Sequence, residues 1–229
     1  MPAPPNARQR ARRTRIDDIT AEARRQLARD GAAALSLRSV ARELGMVSSA
    51  VYRYVASRDE LLTLLIMRAY DHLGAAIERA LRGAGDDPRA RWQAACGAVR
   101  SWARKHPQEY ALIYGSPVPG YAAPPDTIGP ATRVYAALAD PVRHAAETST
   151  LRQPRDASVP PGFEADGARA AEVLGVEVEP ATMAALLAAW MQLFGMVSFE
   201  LFGHTNNVIT DDEAFFEHRV GALADALGL

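Results

Sequence analysis

Seven residues between positions 38 and 58 carry side chains suited to gripping a polyanion and reading base edges: Arg38, Ser48, Ser49, Tyr52, Arg53, Tyr54 and Arg58. A guanidinium can donate two parallel hydrogen bonds to guanine O6 and N7, and such a pair is worth roughly 1–3 kcal/mol of discrimination. Bonds to phosphate fix register without reporting sequence. Arg38, Ser48 and Ser49 are therefore the base-edge candidates, Tyr52 and Arg58 suit phosphates, and Arg53 suits either. Tyr54 is open to two readings, a phosphate contact or an inward ring packed on the helix before it.

Bond-making chemistry has no comparable constellation. The five histidines, His72, His106, His144, His204 and His218, are scattered, with no HExxH and no carboxylates at metal-ligand spacing. There is no GxSxG, no phosphate-cradling glycine loop and no dinucleotide fingerprint. Cys96 is the sole cysteine, so neither an internal disulfide nor a cysteine-based zinc site can form, which fits a reducing cytoplasm. No catalytic residue, metal or cofactor is expected.

The elements that must position the seven residues are marked by caps and turns. Ser36 can cap a helix running to about Leu44, with Val40, Ala41 and Leu44 on one face, and Gly45 can end it. A second helix from Val47 or Ser48 to about Tyr54 turns Val51 inward. It is roughly 10 Å long at 1.5 Å per residue, a size that suits insertion into a major groove. Ser57 and Glu60 read as a capping box ahead of a long helix beginning LLTLLIMRAYDHL. Two short helices about a glycine turn, joined to a third, make a helix-turn-helix layout.

These residues resemble a known family. The run Ile16–Asp30, Gly31, Leu37-Arg38-Ser39-Val40-Ala41, Gly45, Ala50-Val51-Tyr52-Arg53-Tyr54-Val55 and Ser57-Arg58-Asp59-Glu60-Leu61 is similar to the TetR family of bacterial repressors over about Ile16 to Leu65. Tyr52, Tyr54, Val55, Arg58 and the Glu60-Leu61 pair occupy the places of that family's closing pattern. Val47 departs from it, standing where a Ser or Thr often caps the recognition helix. The resemblance implies a homodimer on a palindromic double-stranded DNA operator, with a helical C-terminal domain that binds a small effector.

Charge agrees with that division. The chain has a net charge of −1, yet residues 1–60 hold 12 arginines against 7 carboxylates, leaving −6 on the rest. A basic end on a slightly acidic body suits a DNA reader with a separate second domain. The expected organisation is a disordered basic arm over 1–15, a helix-turn-helix domain over 16–57, and a ligand-binding and dimerisation domain over 58–229. The arm has no apolar segment behind it, which argues against a signal peptide. Arg12, Arg13 and Arg15 suit phosphates or a minor groove, or the arm is an idle tail.

No segment alternates convincingly as a strand, and the fold class is all-α. Helices are expected at about Pro88–Lys105, Pro107–Tyr114, Thr127–Thr148 with a kink at Pro141, and Ala168–Leu174, with a loop over Leu151–Gly167. Trp102, His106, Tyr110 and Tyr114 recur at helical spacings. They are expected to line a cavity opposite Trp190, Met191, Phe194 and Phe199, forming a site for an apolar or aromatic effector of unidentified structure. The competing reading is that these aromatics are core.

Ala181–Phe199 is 19 residues without a formal charge. Gln192 within it and Glu200 directly after it argue against a membrane span, so the helix must bury one side in its own core and another against a partner. Thr210 and Glu213 suggest a capping box, followed by a stripe of Phe216, Val220, Leu223 and Leu227. Helices near 181–203 and 211–227 are thus expected to form half of a four-helix dimer bundle, unless both close a monomeric core. Two readings compete with a DNA-binding regulator: a small-molecule-binding protein or enzyme with a degenerate helix-turn-helix, and a protein-interaction module.

Overall fold

The computed structural model describes residues 6–229, and among these there are ten α-helices and no strand. In chain order they are α1 (Ala7–Asp30), α2 (Leu37–Glu43), α3 (Ser48–Tyr52), α4 (Arg58–Gly83), α5 (Pro88–Lys105), α6 (Pro107–Tyr114), α7 (Ile128–Glu147), α8 (Phe163–Leu174), α9 (Pro180–Leu201) and α10 (Asp212–Leu227). The chain divides into two compact units. One comprises the residues through Ala69 together with His106–Thr127, and the other comprises Tyr70–Lys105 with Ile128–Leu229.

In the first unit α1, α2, α3 and the start of α4 close on one apolar cluster. Ile19, Ala23 and Leu27 come from α1, Leu37, Val40 and Ala41 from α2, Val51 from α3, and Leu61, Leu62 and Leu65 from α4. Ser36 caps α2 by accepting from the Ser39 N–H at 3.4 Å. Gly45, at φ +63°, makes the turn to α3 in the left-handed region that costs a residue with a Cβ about 1–2 kcal/mol. The Ser57–Glu60 box forms with a shift: Ser57 Oγ accepts from the Glu60 N–H at 3.0 Å, while the Glu60 carboxylate accepts from Ala56, not Ser57, at 2.6 Å.

Two expectations change here. The arm over 1–15 lies partly outside the described residues, and from Ala7 onward it is helix instead of coil. Its start is closed by a reciprocal capping box between Asn6 and Gln9, both bonds 2.9 Å, a signal overlooked among the prolines and arginines. The segment His106–Thr127 packs within the first unit: Leu112, Val118 and Tyr121 lie against its cluster, and Tyr121 Oη is 2.9 Å from Thr63 Oγ1. Glu109, its side chain only 10 % exposed, accepts from Arg24 Nε of α1 at 2.6 Å.

The second unit is built of α5, α7, α8, α9, α10 and the rest of α4. Trp92, fully buried in α5, donates its indole N–H to the Val220 carbonyl of α10 at 3.1 Å. Arg100 of α5 is also buried. It donates through Nε and Nη2 to Glu200 of α9 at 2.7 and 3.0 Å, donates to Glu213 of α10, and lies 4.9 Å from the Phe216 ring centroid. Burial alone would pull this guanidinium's pKa down, but the bonds to Glu200 and Glu213 outweigh it and push the pKa up. Arg133 of α7 clamps α4 by donating to both oxygens of Glu78, at 2.6 and 2.8 Å, and to Asp71 at 3.1 Å.

Local boundaries differ from expectation where a nearby group competes. α8 starts at Phe163 instead of Ala168, following Gly162 at φ +81°, and Gly167 lies inside it because a Cβ there would meet the Phe163 ring at 2.9 Å. α7 runs unbroken through Pro141 as a helix. The Thr210–Glu213 box does not form: Asp211 caps α10 by accepting from Ala214 at 2.9 Å, and Glu213 serves Arg100. A carboxylate is the better cap, and the buried cation is the stronger partner for Glu213.

Candidate nucleic-acid interface and effector region

α3 is only five residues long and buries a single side chain, Val51. That one anchor leaves Ser48, Ser49, Tyr52 and Arg53 outward, with Arg38 exposed on the neighbouring α2. Five of the seven predicted residues therefore share the exposed surface of the α2–α3 pair. Tyr54 is half-buried against the unit's apolar cluster, in line with the inward reading of its ring. Arg58 is redirected: its Nη2 donates to the Ala32 carbonyl at 3.0 Å, tying the start of α4 to the turn after α1.

Val47, noted in the sequence only as a departure, lies at the start of α3. As N-cap of α3 it makes no side-chain cap bond, and it is 72 % exposed. The missing cap leaves an apolar side chain beside the exposed surface of α2 and α3. A thymine methyl is a suitable counterpart for such a group.

The predicted effector residues fall into two groups. His106, Tyr110 and Tyr114 belong to the first unit, where the tyrosine rings lie 5.2 Å apart and His106 Nδ1 sits 3.4 Å from Glu109 and 3.3 Å from Arg24. Trp102, Trp190, Met191, Phe194 and Phe199 belong to the second. Of these, Trp190 and Phe194 meet around Tyr135 of α7, with ring centroids at 5.0 and 6.2 Å. Met191 and Phe199 do not join them. They are 73 % and 57 % exposed on α9, because a 22-residue helix cannot turn every apolar side inward against one core.

Sequence reasoning missed Tyr135 and Tyr70. Tyr70 is partly buried in α4, and burial, with Tyr135 as the second cause, pushes its phenol up to about 12. The Trp190 indole N–H is buried without a hydrogen-bond partner among the described residues. No group of three or more histidines, cysteines or carboxylates fit to hold a metal occurs among the described residues.

The α9–α10 surface carries a separate apolar groove of about 400 Å³, lined by Gly195, Met196, Phe199, Ile209, Phe215 and Phe216 among others. In α10 the stripe of Phe216, Val220, Leu223 and Leu227 is buried within the chain itself.

Residues 19–65 match the family model for bacterial regulatory proteins of the tetR family, and residues 92–223 match that for a Tetracyclin repressor-like C-terminal domain. The chain belongs to the TetR family. It is 41 % identical over 210 residues to the HTH-type transcriptional regulator Mb1846 of Mycobacterium bovis, covering 89 % of this chain and 88 % of that protein. The crystal structure of the regulatory protein SCO4313 superposes with a TM-score of 0.75 at 31 % identity, covering 95 % of this chain and 98 % of the other. A protein of unknown function from Rhodococcus sp. RHA1 has the same fold, with a TM-score of 0.72 at 23 % identity, covering 94 % and 96 %. This TetR-family chain is accordingly a transcriptional regulator with a DNA-binding helix-turn-helix, not an enzyme.

Proposed function

We propose that the protein is a cytoplasmic homodimeric repressor that sets two copies of α3 into successive major grooves of a palindromic operator and is released by a small, largely apolar or aromatic effector. The observation that carries the DNA half of this reading is the exposed face of α2 and α3, held outward by Leu37, Val40 and Ala41 buried in α2 and Val51 buried in α3. Arg38 reads a guanine, Ser48 and Ser49 read neighbouring base edges, and Val47 packs on a thymine methyl. Tyr52 and Arg53 hold phosphates.

Self-association uses the outer face of α9 and α10, where Met191, Phe199, Phe202 and Phe215 are exposed beside the groove at Gly195. An apolar surface of this kind on a soluble domain marks an interface, and a twofold pairing of two helices gives a four-helix bundle. Two reading heads on one dimer then bind a palindrome far more tightly than either alone.

The effector is placed against Tyr135, Trp190 and Phe194. A planar ring can stack there, and an acceptor atom on it would satisfy the buried Trp190 N–H. Release follows from linkage: a ligand that favours the conformation poorly matched to DNA lowers DNA affinity, and DNA lowers the ligand's affinity by the same factor. α4 is the physical route for that coupling, since its first turns belong to the reader and its remainder, with Tyr70, to the second unit.

Footprinting on the DNA immediately upstream of the protein's own gene, repeated with a panel of aromatic compounds, tests this reading. A protected palindrome that one compound clears is the expected result, and protection that no compound alters would remove the sensing half. Arg38→Ala should relax selectivity at one operator position by about 1–3 kcal/mol. Uniform weakening across operator variants would count against its reading role.

A further inference from the structure

The first turns of α1 carry a charged surface that the chain itself does not use. Arg8, Arg10, Arg12, Arg13 and Arg15 fall within eight consecutive positions that contain no Asp or Glu, and all five are exposed. Among the described residues only Arg15 has an ion partner, Asp18 at 3.5 Å. The first buried residue of α1 is Ile19, so nothing in these turns is held by packing. Arginines at the positive end of a helix oppose its dipole, and Arg8 with Arg12 is a like-charged i,i+4 pair. The arrangement is unfavourable to the protein alone, and a polyanion laid against it offsets these repulsions by attracting each guanidinium.

Helical geometry sorts the five. At about 100° per residue, Arg8, Arg12 and Arg15 fall within roughly 60° of arc, while Arg10 and Arg13 lie on the far side. The same arc continues down the helix into Ile19, Ala23 and Gln26, all buried within the reading unit. The stripe thus looks out from the face of α1 that the reader covers, just beyond the reader's edge. It extends over roughly 10 Å at 1.5 Å per residue, close to three base-pair rises of about 3.4 Å each along the duplex axis.

We propose that the N-terminal turns of α1 form a rigid second DNA-binding element, in which Arg8, Arg12 and Arg15 pair with phosphates of the duplex flanking the sequence read by α2 and α3. It lengthens the footprint and raises affinity without adding base specificity. The structure favours a helix docked on phosphates over a coil threaded into a minor groove, because the Asn6–Gln9 box closes the helix start.

The test uses the full-length protein, long mixed-sequence duplex DNA as the probe, and binding followed over a range of salt concentrations. Arg8→Gln/Arg12→Gln/Arg15→Gln should reduce the slope of log K against log salt by about 2.7 per bound protomer, from roughly 0.9 per phosphate contact. Glutamine keeps helix propensity near that of arginine, so circular dichroism should be unchanged. Arg10→Gln/Arg13→Gln, on the far face, should leave the slope nearly intact. An unchanged slope in the triple variant overturns the proposal, and an equal fall in both variants overturns the stripe in favour of diffuse charge. Binding of the stripe to anionic phosphatidylglycerol vesicles that duplex DNA fails to displace would assign it to a membrane surface instead. Wild-type protein that binds no DNA would mark failure of the regulator reading itself.

Discussion

The two faces proposed to meet partners, the α2–α3 surface and the α9–α10 surface, are built on opposite principles. The reading face is polar and basic over a small dry cluster, and its working side chains contribute little to holding the fold. The α9–α10 face is apolar outside, yet directly beneath it sits the buried Arg100 with Glu200 and Glu213. A DNA partner offers phosphates, and among the described residues Arg38 and Arg53 on the first face have no ion partner. A second copy of the chain offers the same apolar surface, so the second face holds the Arg100 cation inside and turns Phe199 and Phe215 outside.

Breaking the second arrangement should have the largest effect. Arg100→Ala would leave Glu200, whose side chain is 17 % exposed, without its two-toothed partner and remove the tie between α5, α9 and α10. Loss of one member of a buried pair costs about 3–5 kcal/mol. Urea unfolding should show that loss, whereas Arg38→Ala on the reading face should leave the midpoint within about 0.5 kcal/mol of wild type. Equal stability of Arg100→Ala and wild type would refute the contrast.

Arg58 is the residue that blurs the comparison, since its type suits phosphate and its geometry suits structure. With Nη2 on the Ala32 carbonyl, Arg58→Ala should destabilise the reader by about 1.5–3 kcal/mol, the range for a hydrogen bond from a charged group. It should not alter the salt dependence of DNA binding. A flattened salt slope with unchanged stability would return Arg58 to the phosphate anchors.

Gly195 tests the apolar face. A Cβ there meets nothing within 4 Å in the isolated chain, and the residue lines the groove. Gly195→Arg should therefore fold normally, with helicity unchanged, while weakening self-association by about 10- to 100-fold, the equivalent of roughly 1–3 kcal/mol of overpacking. Sedimentation equilibrium decides it: an unaltered dimer constant would move the interface elsewhere.

The reader was largely legible because its signals are local. Ser36, Gly45, Val51 and the Ser57–Glu60 pair each mark a boundary or an inward position by residue type alone, and the structure places them so. What escaped depends on distant partners. Nothing near Glu213 announces Arg100, 113 positions away, so the Thr210 box was a fair reading of the local pattern that a long-range ion pair overrode. Tyr110 and Trp190 looked alike as helical aromatics, but which unit claims each is decided by tertiary packing. The stripe of Phe216, Val220, Leu223 and Leu227 was legible as a covered face, with a dimer bundle and the chain's own core both left open, because periodicity reports that a face is covered and not by what.

The smallest expected effect concerns the aromatic group of the second unit. Tyr70 has its phenol pushed up to about 12, first by burial and second by Tyr135. An ordinary phenol in the unfolded chain ionises near pH 10. Between those values the unfolded state has released a proton that the folded state still holds, so stability falls as pH rises. The contribution of Tyr70 is complete below about pH 10 and is lost as pH climbs through about 12. Tyr70→Phe should remove that share of the alkaline decline, leaving neutral stability nearly unchanged. Tyr135→Phe separates the causes: absorbance titration of the tyrosinates should show Tyr70 moving only part of the way back, because burial, the larger cause, remains. Full reversion to an ordinary pKa would mean that the pair, and not the surrounding protein, holds the phenol neutral.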